Sequence, residues 1–114
     1  MPIPEADREH AEKVLTTFCD RVPPDIRDKL RYEFELAGNT YTIVEIRPYL
    51  TAPTRGYMRL GLARLKYRPT KRAWTLMWSD RNERWHTYKG FEYVDTIDEL
   101  IAEIQRDPTH IFFG

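Results

Sequence analysis

The chain has 114 residues, 41% hydrophobic and 13% aromatic, which fits one packed α+β domain over 1–114 and excludes a disordered polymer. Its 18 basic and 18 acidic residues cancel to a formal charge of zero, unlike the strong positive balance of a dedicated DNA-binding domain. A lone Cys19 excludes an intrachain disulfide and points to a reducing compartment. With no signal-peptide pattern at Met1–Glu5 and no apolar run near the ~20 residues of a membrane span, the expected location is the cytoplasm, away from the membrane.

Ala11, Val14, Leu15 and Phe18 recur at helical spacing and predict a helix over about 5–20, with acidic Glu5, Asp7 and Glu9 in its first turns. Pro23-Pro24 stops it, and a short second helix is expected over Asp25–Leu30. The period then changes to two. Tyr32, Phe34 and Leu36 alternate with Arg31, Glu33 and Glu35 as in a half-buried strand. Gly38-Asn39 signals a two-residue hairpin, which sets Phe34 opposite Ile43 and Leu36 opposite Tyr41, and the second strand runs to Pro48.

Residues 49–57, with Pro53 and Gly56, read as a mobile loop. Three further strands are expected over about 58–68, 72–79 and 84–89. Thr96 and Glu99 form a capping-box pattern that opens a last helix, with Ile97, Leu100, Ile101 and Ile104 as its buried stripe. Asp107-Pro108 ends it. The apolar tail Ile111-Phe112-Phe113 should dock on the fold, its alternative use being a dimer contact. The fold expected is a curved five-stranded antiparallel sheet of hairpins, with the N-terminal and C-terminal helices packed on one face.

Charge is distributed unevenly. Residues 55–89 hold ten of the basic residues and two of the acidic ones, together with Trp74, Trp78 and Trp85. A cationic, aromatic ribbon in an otherwise acidic molecule suits an anionic partner or self-association. Hairpin registers decide which residues share a face. A turn on Arg68–Lys71 pairs Leu65 with Trp74, Ala63 with Leu76 and Gly61 with Trp78. For the next hairpin, a loop of two or four residues sets Trp78 opposite Trp85 and Met77 opposite His86. A three-residue loop with Asn82 left-handed would shift this by one and undo the pairing. On the preferred registers the three tryptophans face the helices. Arg64, Lys66, Arg68, Arg84, His86 and Tyr88 share the outer face and are the candidate binding residues.

Four cations with flat Tyr88 and His86 beside them have the chemistry of single-stranded nucleic-acid binding. The same cations also suit an acidic protein surface, a second copy, or pairing with Glu33 and Glu35. His86 near Asp80 and Glu83 has the ingredients of a general base, but a polar turn accounts for them equally. His10, His86, His110 and Cys19 lack metal-ligand spacing, and the scattered glycines form no phosphate loop, so no metal, cofactor or catalytic residue is assigned. Cys19 reads as a small buried residue. Arg47 is expected to be buried and paired with an acid such as Asp80 or Asp107.

Arg47-Pro48, Arg68-Pro69, the run Trp74 to Tyr88, Asp107-Pro108 and Phe112-Phe113-Gly114 resemble the small bacterial proteins grouped as domain of unknown function 3024. The resemblance spans Leu30 to the end. Members often read Tyr-Trp where this chain has Met77-Trp78, and Phe-Trp-Gly where it has Phe112-Phe113-Gly114. It implies a cytoplasmic bacterial protein and carries over no catalytic residues. The functional expectation is a non-catalytic binding module that meets an acidic protein surface or its own second copy, with single-stranded nucleic acid as the alternative.

Overall fold

The computed structural model describes residues 2–49 and 56–113. Helix α1 spans Glu5–Cys19 and buries Ala11, Leu15 and Phe18 on the predicted stripe. Full burial of one such leucine stabilises the fold by about 2 kcal/mol. A single 3₁₀ turn, Pro24–Ile26, stands where a short helix was expected. It buries no residue, so no apolar contact rewards a longer one.

Strands β1 (Arg31–Ala37), β2 (Thr40–Pro48), β3 (Tyr57–Arg68), β4 (Ala73–Ser79) and β5 (Trp85–Thr87) form one antiparallel sheet in the order β1-β2-β3-β4-β5. The first hairpin has the expected register, Phe34 opposite Ile43 and Leu36 opposite Tyr41. Gly38 supplies the positive φ of its two-residue turn, +59°. Between β2 and β3 the register slips, because Ile43 pairs with Ala63 while Val44 pairs with Gly61. Leu62 is the extra residue of this bulge and joins the core. The loop expected over 49–57 lies largely outside the described residues; at its ends the Tyr49 N–H donates to the Gly56 carbonyl at 3.2 Å.

Helix α2 (Ile97–Arg106) packs beside α1 on the same sheet face, and the His10 ring lies 2.8 Å from the Asp98 carboxylate across the two helices. Thr96 caps α2, accepting from the Glu99 N–H at 3.4 Å and donating to the Glu99 carboxylate at 3.0 Å. Asp107 ends it in the left-handed region. The buried Asp107 carboxylate then accepts the N–H groups of Phe112 (3.0 Å) and Phe113 (2.8 Å), which docks the tail. Phe112 goes in; Ile111 and Phe113 stay exposed. The architecture is α+β, as the sequence implies. Among the described residues no helix is long and apolar enough to cross a membrane.

Two registers differ from those expected. Arg68 closes on Ala73 through a four-residue loop with Arg72 left-handed, so Leu65 meets Leu76, Ala63 meets Trp78 and Tyr67 meets Trp74. The turn on Arg68–Lys71 forms as predicted, with Lys71 N–H donating to the Arg68 carbonyl at 3.1 Å, but pairing resumes two residues later. An even shift leaves every side chain on its expected face. The β4–β5 hairpin shifts by one. Its loop is Arg81–Glu83, three residues with Glu83 rather than Asn82 left-handed at φ 62°. Trp78 therefore meets His86, Ser79 meets Trp85 and Met77 meets Thr87. An odd shift turns β5 over.

Candidate functional site

Among the described residues, the sheet has one face under α1 and α2 and one without a helix on it. Strand alternation puts Arg64, Lys66 and Arg68 on the uncovered face, in a row along β3. Their strand neighbours on that face are uncharged: Thr40 and Thr42 on β2, Ala73, Thr75 and Met77 on β4. Arg64 donates to Thr42 Oγ1 at 3.3 Å, and Arg68 donates to Thr75 Oγ1 at 3.1 Å. The Thr75 hydroxyl in turn donates to the Glu92 carbonyl at 2.5 Å, which explains a fully buried threonine on an otherwise open face. Among the described residues, no acid lies within ion-pair distance of these three cations. The row keeps its charge.

The acids of this face sit at its other side and are already engaged. Arg59 contacts Glu33 at 3.6 Å and Glu35 at 3.3 Å, and Arg31 contacts Glu33 at 3.0 Å. Glu33 and Glu35 thus neutralise Arg31 and Arg59, leaving β3 beyond the bulge as the positive part. Pairing of the sheet cations with Glu33 and Glu35 occurs, but with these two arginines.

Flat groups flank the row. Trp85 was expected in the core, but the odd register brings it to the cationic face, half-buried beside Ser79. The Arg64 guanidinium lies 4.4 Å from its ring centroid. Gly61 makes room for it. A Cβ on Gly61 would stand 2.6 Å from Trp85 Cζ2, closer than any real contact. Small Gly61 therefore accommodates Trp85, where Trp78 was expected. At the other end, Tyr93 is 61% exposed, with the Lys71 ammonium 5.7 Å from its ring.

The remaining candidates fall elsewhere. Arg84 sits in the β4–β5 turn, outside the row, with its N–H given to Asp80 Oδ1 at 3.0 Å. His86 and Tyr88 belong to the helix side, which corrects their expected place among the cations. His86 packs on Trp78 with ring centroids 4.7 Å apart. Tyr88 is buried, donates to Glu103 at 2.8 Å and stacks on Phe112. Burial and that buried carboxylate push the Tyr88 phenol above its usual pKa. Glutamate seldom enters the left-handed region, so no local signal at Glu83 favours this register over the one that pairs the tryptophans.

His86 and Asp80 do meet, at 2.7 Å. That bond and the N–H groups of Arg84 and Asn82 hold the Asp80 carboxyl down to about 2. With three donors on it, Asp80 is the residue that shapes the turn. Arg47 is exposed and pairs with Glu45, on its own strand, instead of being buried against Asp80 or Asp107. Burial, with Asp20 and Glu33 nearby, pushes the Cys19 thiol up to about 11, away from the thiolate a nucleophile needs. Among the described residues no three His, Cys, Asp or Glu side chains converge as metal ligands. Sequence reasoning also missed a cleft of about 370 Å³ walled by Phe18, Val22, Ile26, Tyr32 and Phe113, with Arg21 on it.

These features define a class: an antiparallel meander with helices on one face and an unneutralised cationic strand on the other. The chain belongs to the family described as Domain of unknown function (DUF3024), whose model matches residues 3–114. No curated protein and no solved structure matches it.

Proposed function

We propose that this protein is a non-catalytic binding module whose open sheet face engages an anionic partner. The supporting observation is the row Arg64, Lys66 and Arg68, three neighbouring cations with no acid in reach among the described residues, on a face without a helix. An acidic protein surface satisfies this chemistry, and so does a polyanionic strand. A second copy fits less well. The acidic residues of α1 and α2 lie on the opposite side of the sheet, so basic face on acidic face would be a head-to-tail contact, which propagates unless its rotation closes a ring. We place the module in the bacterial cytoplasm, supported by the family resemblance and by the single half-buried cysteine.

Chromatography on an anionic matrix tests this reading. Wild type should be retained at low salt, and Lys66→Glu should elute at lower salt with an unchanged melting temperature. Equal elution of the two proteins would end the assignment of the face.

A further inference from the structure

We infer that the partner of this face is a single-stranded nucleic acid laid along β3, a deepening that rests on the binding reading above. Alternate residues of a strand stand about 6.6 Å apart, so Arg64, Lys66 and Arg68 present charge at regular intervals over roughly 13 Å. Phosphates of a single strand offer a repeating charge to such a row, whereas carboxylates on a folded protein follow no fixed repeat.

The flat groups point the same way. Trp85 lies at one end with the Arg64 guanidinium stacked on it, and Tyr93 lies at the other with Lys71 over its ring. The connection between Arg68 and the Tyr93 end runs through Thr75, which links the Arg68 side chain to the Glu92 carbonyl. Cations between two aromatic surfaces match a backbone held in the middle with a base stacked at each end. Glu33 and Glu35 border the path on the β1 side, so the strand is confined to β3, β4 and the 92–93 segment. Aromatic surfaces at the two ends of the row need unstacked bases, which a single strand offers and a duplex does not.

The test is fluorescence anisotropy with labelled oligo(dT) and oligo(rU), with poly-glutamate as competitor. Three phosphate contacts at about −0.7 each give an expected log–log salt slope of about −2. Bound oligonucleotide should quench tryptophan emission. Trp85→Leu and Tyr93→Ala should each weaken binding at least about fivefold. Tyr93→Ala guards against misfolding, because its side chain is largely exposed. If poly-glutamate binds as well as the oligonucleotides and both aromatic variants bind like wild type, the nucleic-acid inference is overturned while the anion-binding face stands. If neither polymer binds at low salt, both readings fall.

Discussion

The two hairpins that share β4 close in different ways and distribute their aromatic rings differently. Between β3 and β4, four residues turn the chain, and Tyr67 meets Trp74 on the helix side with ring centroids 5.1 Å apart. Between β4 and β5, three residues turn it, and the tryptophans part: Trp78 takes His86 on the helix side, and Trp85 takes Ser79 on the open side. The first hairpin uses its aromatics to build the core. The second divides them between core and surface, and that division gives the cationic row an aromatic neighbour. Loop parity, rather than strand composition, made the difference.

The strongest way to break the second arrangement is Gly61→Val. The new side chain would occupy the space of the Trp85 ring, and the expected loss is about 1–3 kcal/mol in urea unfolding. The loss should shrink in a Trp85→Leu background, because the colliding ring is gone; additive losses would contradict the contact.

Tyr88→Phe comes next. It removes the bond to buried Glu103 on the helix side of the same segment, at an expected 1–2 kcal/mol, roughly, by thermal melting. A neutral result would mean that Tyr88 does not rely on Glu103.

Glu83→Gly should act in the opposite direction. Relieving φ 62° at a non-glycine residue is expected to stabilise the hairpin by about 0.5–1 kcal/mol without changing which face Trp85 occupies. Arg72→Gly, at φ 48° in the other hairpin, is the matched control.

The smallest effect is a pH signature. Asp80 is held below its unfolded pKa of about 4 by His86 and the turn N–H groups, so its contribution is present above that pH. It is lost as pH falls through about 2. The stability gap between wild type and Asp80→Asn should narrow over that window, and a gap that persists at the acid end would show that Asp80 acts by shape alone.

Much of the fold was legible because it depends on local pattern. The stripe Ala11, Leu15 and Phe18, the Gly38-Asn39 turn and the Thr96 cap each announce their own geometry. The β3–β4 hairpin tolerated a misplaced closure because a two-residue shift conserves side-chain direction. The β4–β5 hairpin did not. Its parity rests on Glu83 entering a conformation glutamate seldom adopts, stabilised by the Asp80 carboxylate accepting N–H groups from Asn82 and Arg84. Half of the candidate residues keep their expected face: the placement of Arg64, Lys66 and Arg68 was legible from alternation alone. Trp85 and Tyr93 were not. Gly61 reads from the sequence as a small residue facing a large ring, but that ring belongs to Trp85.

Proton–proton contacts of the Trp85 indole by NMR test the central claim most directly. Contacts to Gly61 and to the Arg64 side chain are predicted, with Trp78 contacting His86. Contacts between the Trp85 and Trp78 indoles would contradict it, returning Trp85 to the core and removing the aromatic end of the cationic row.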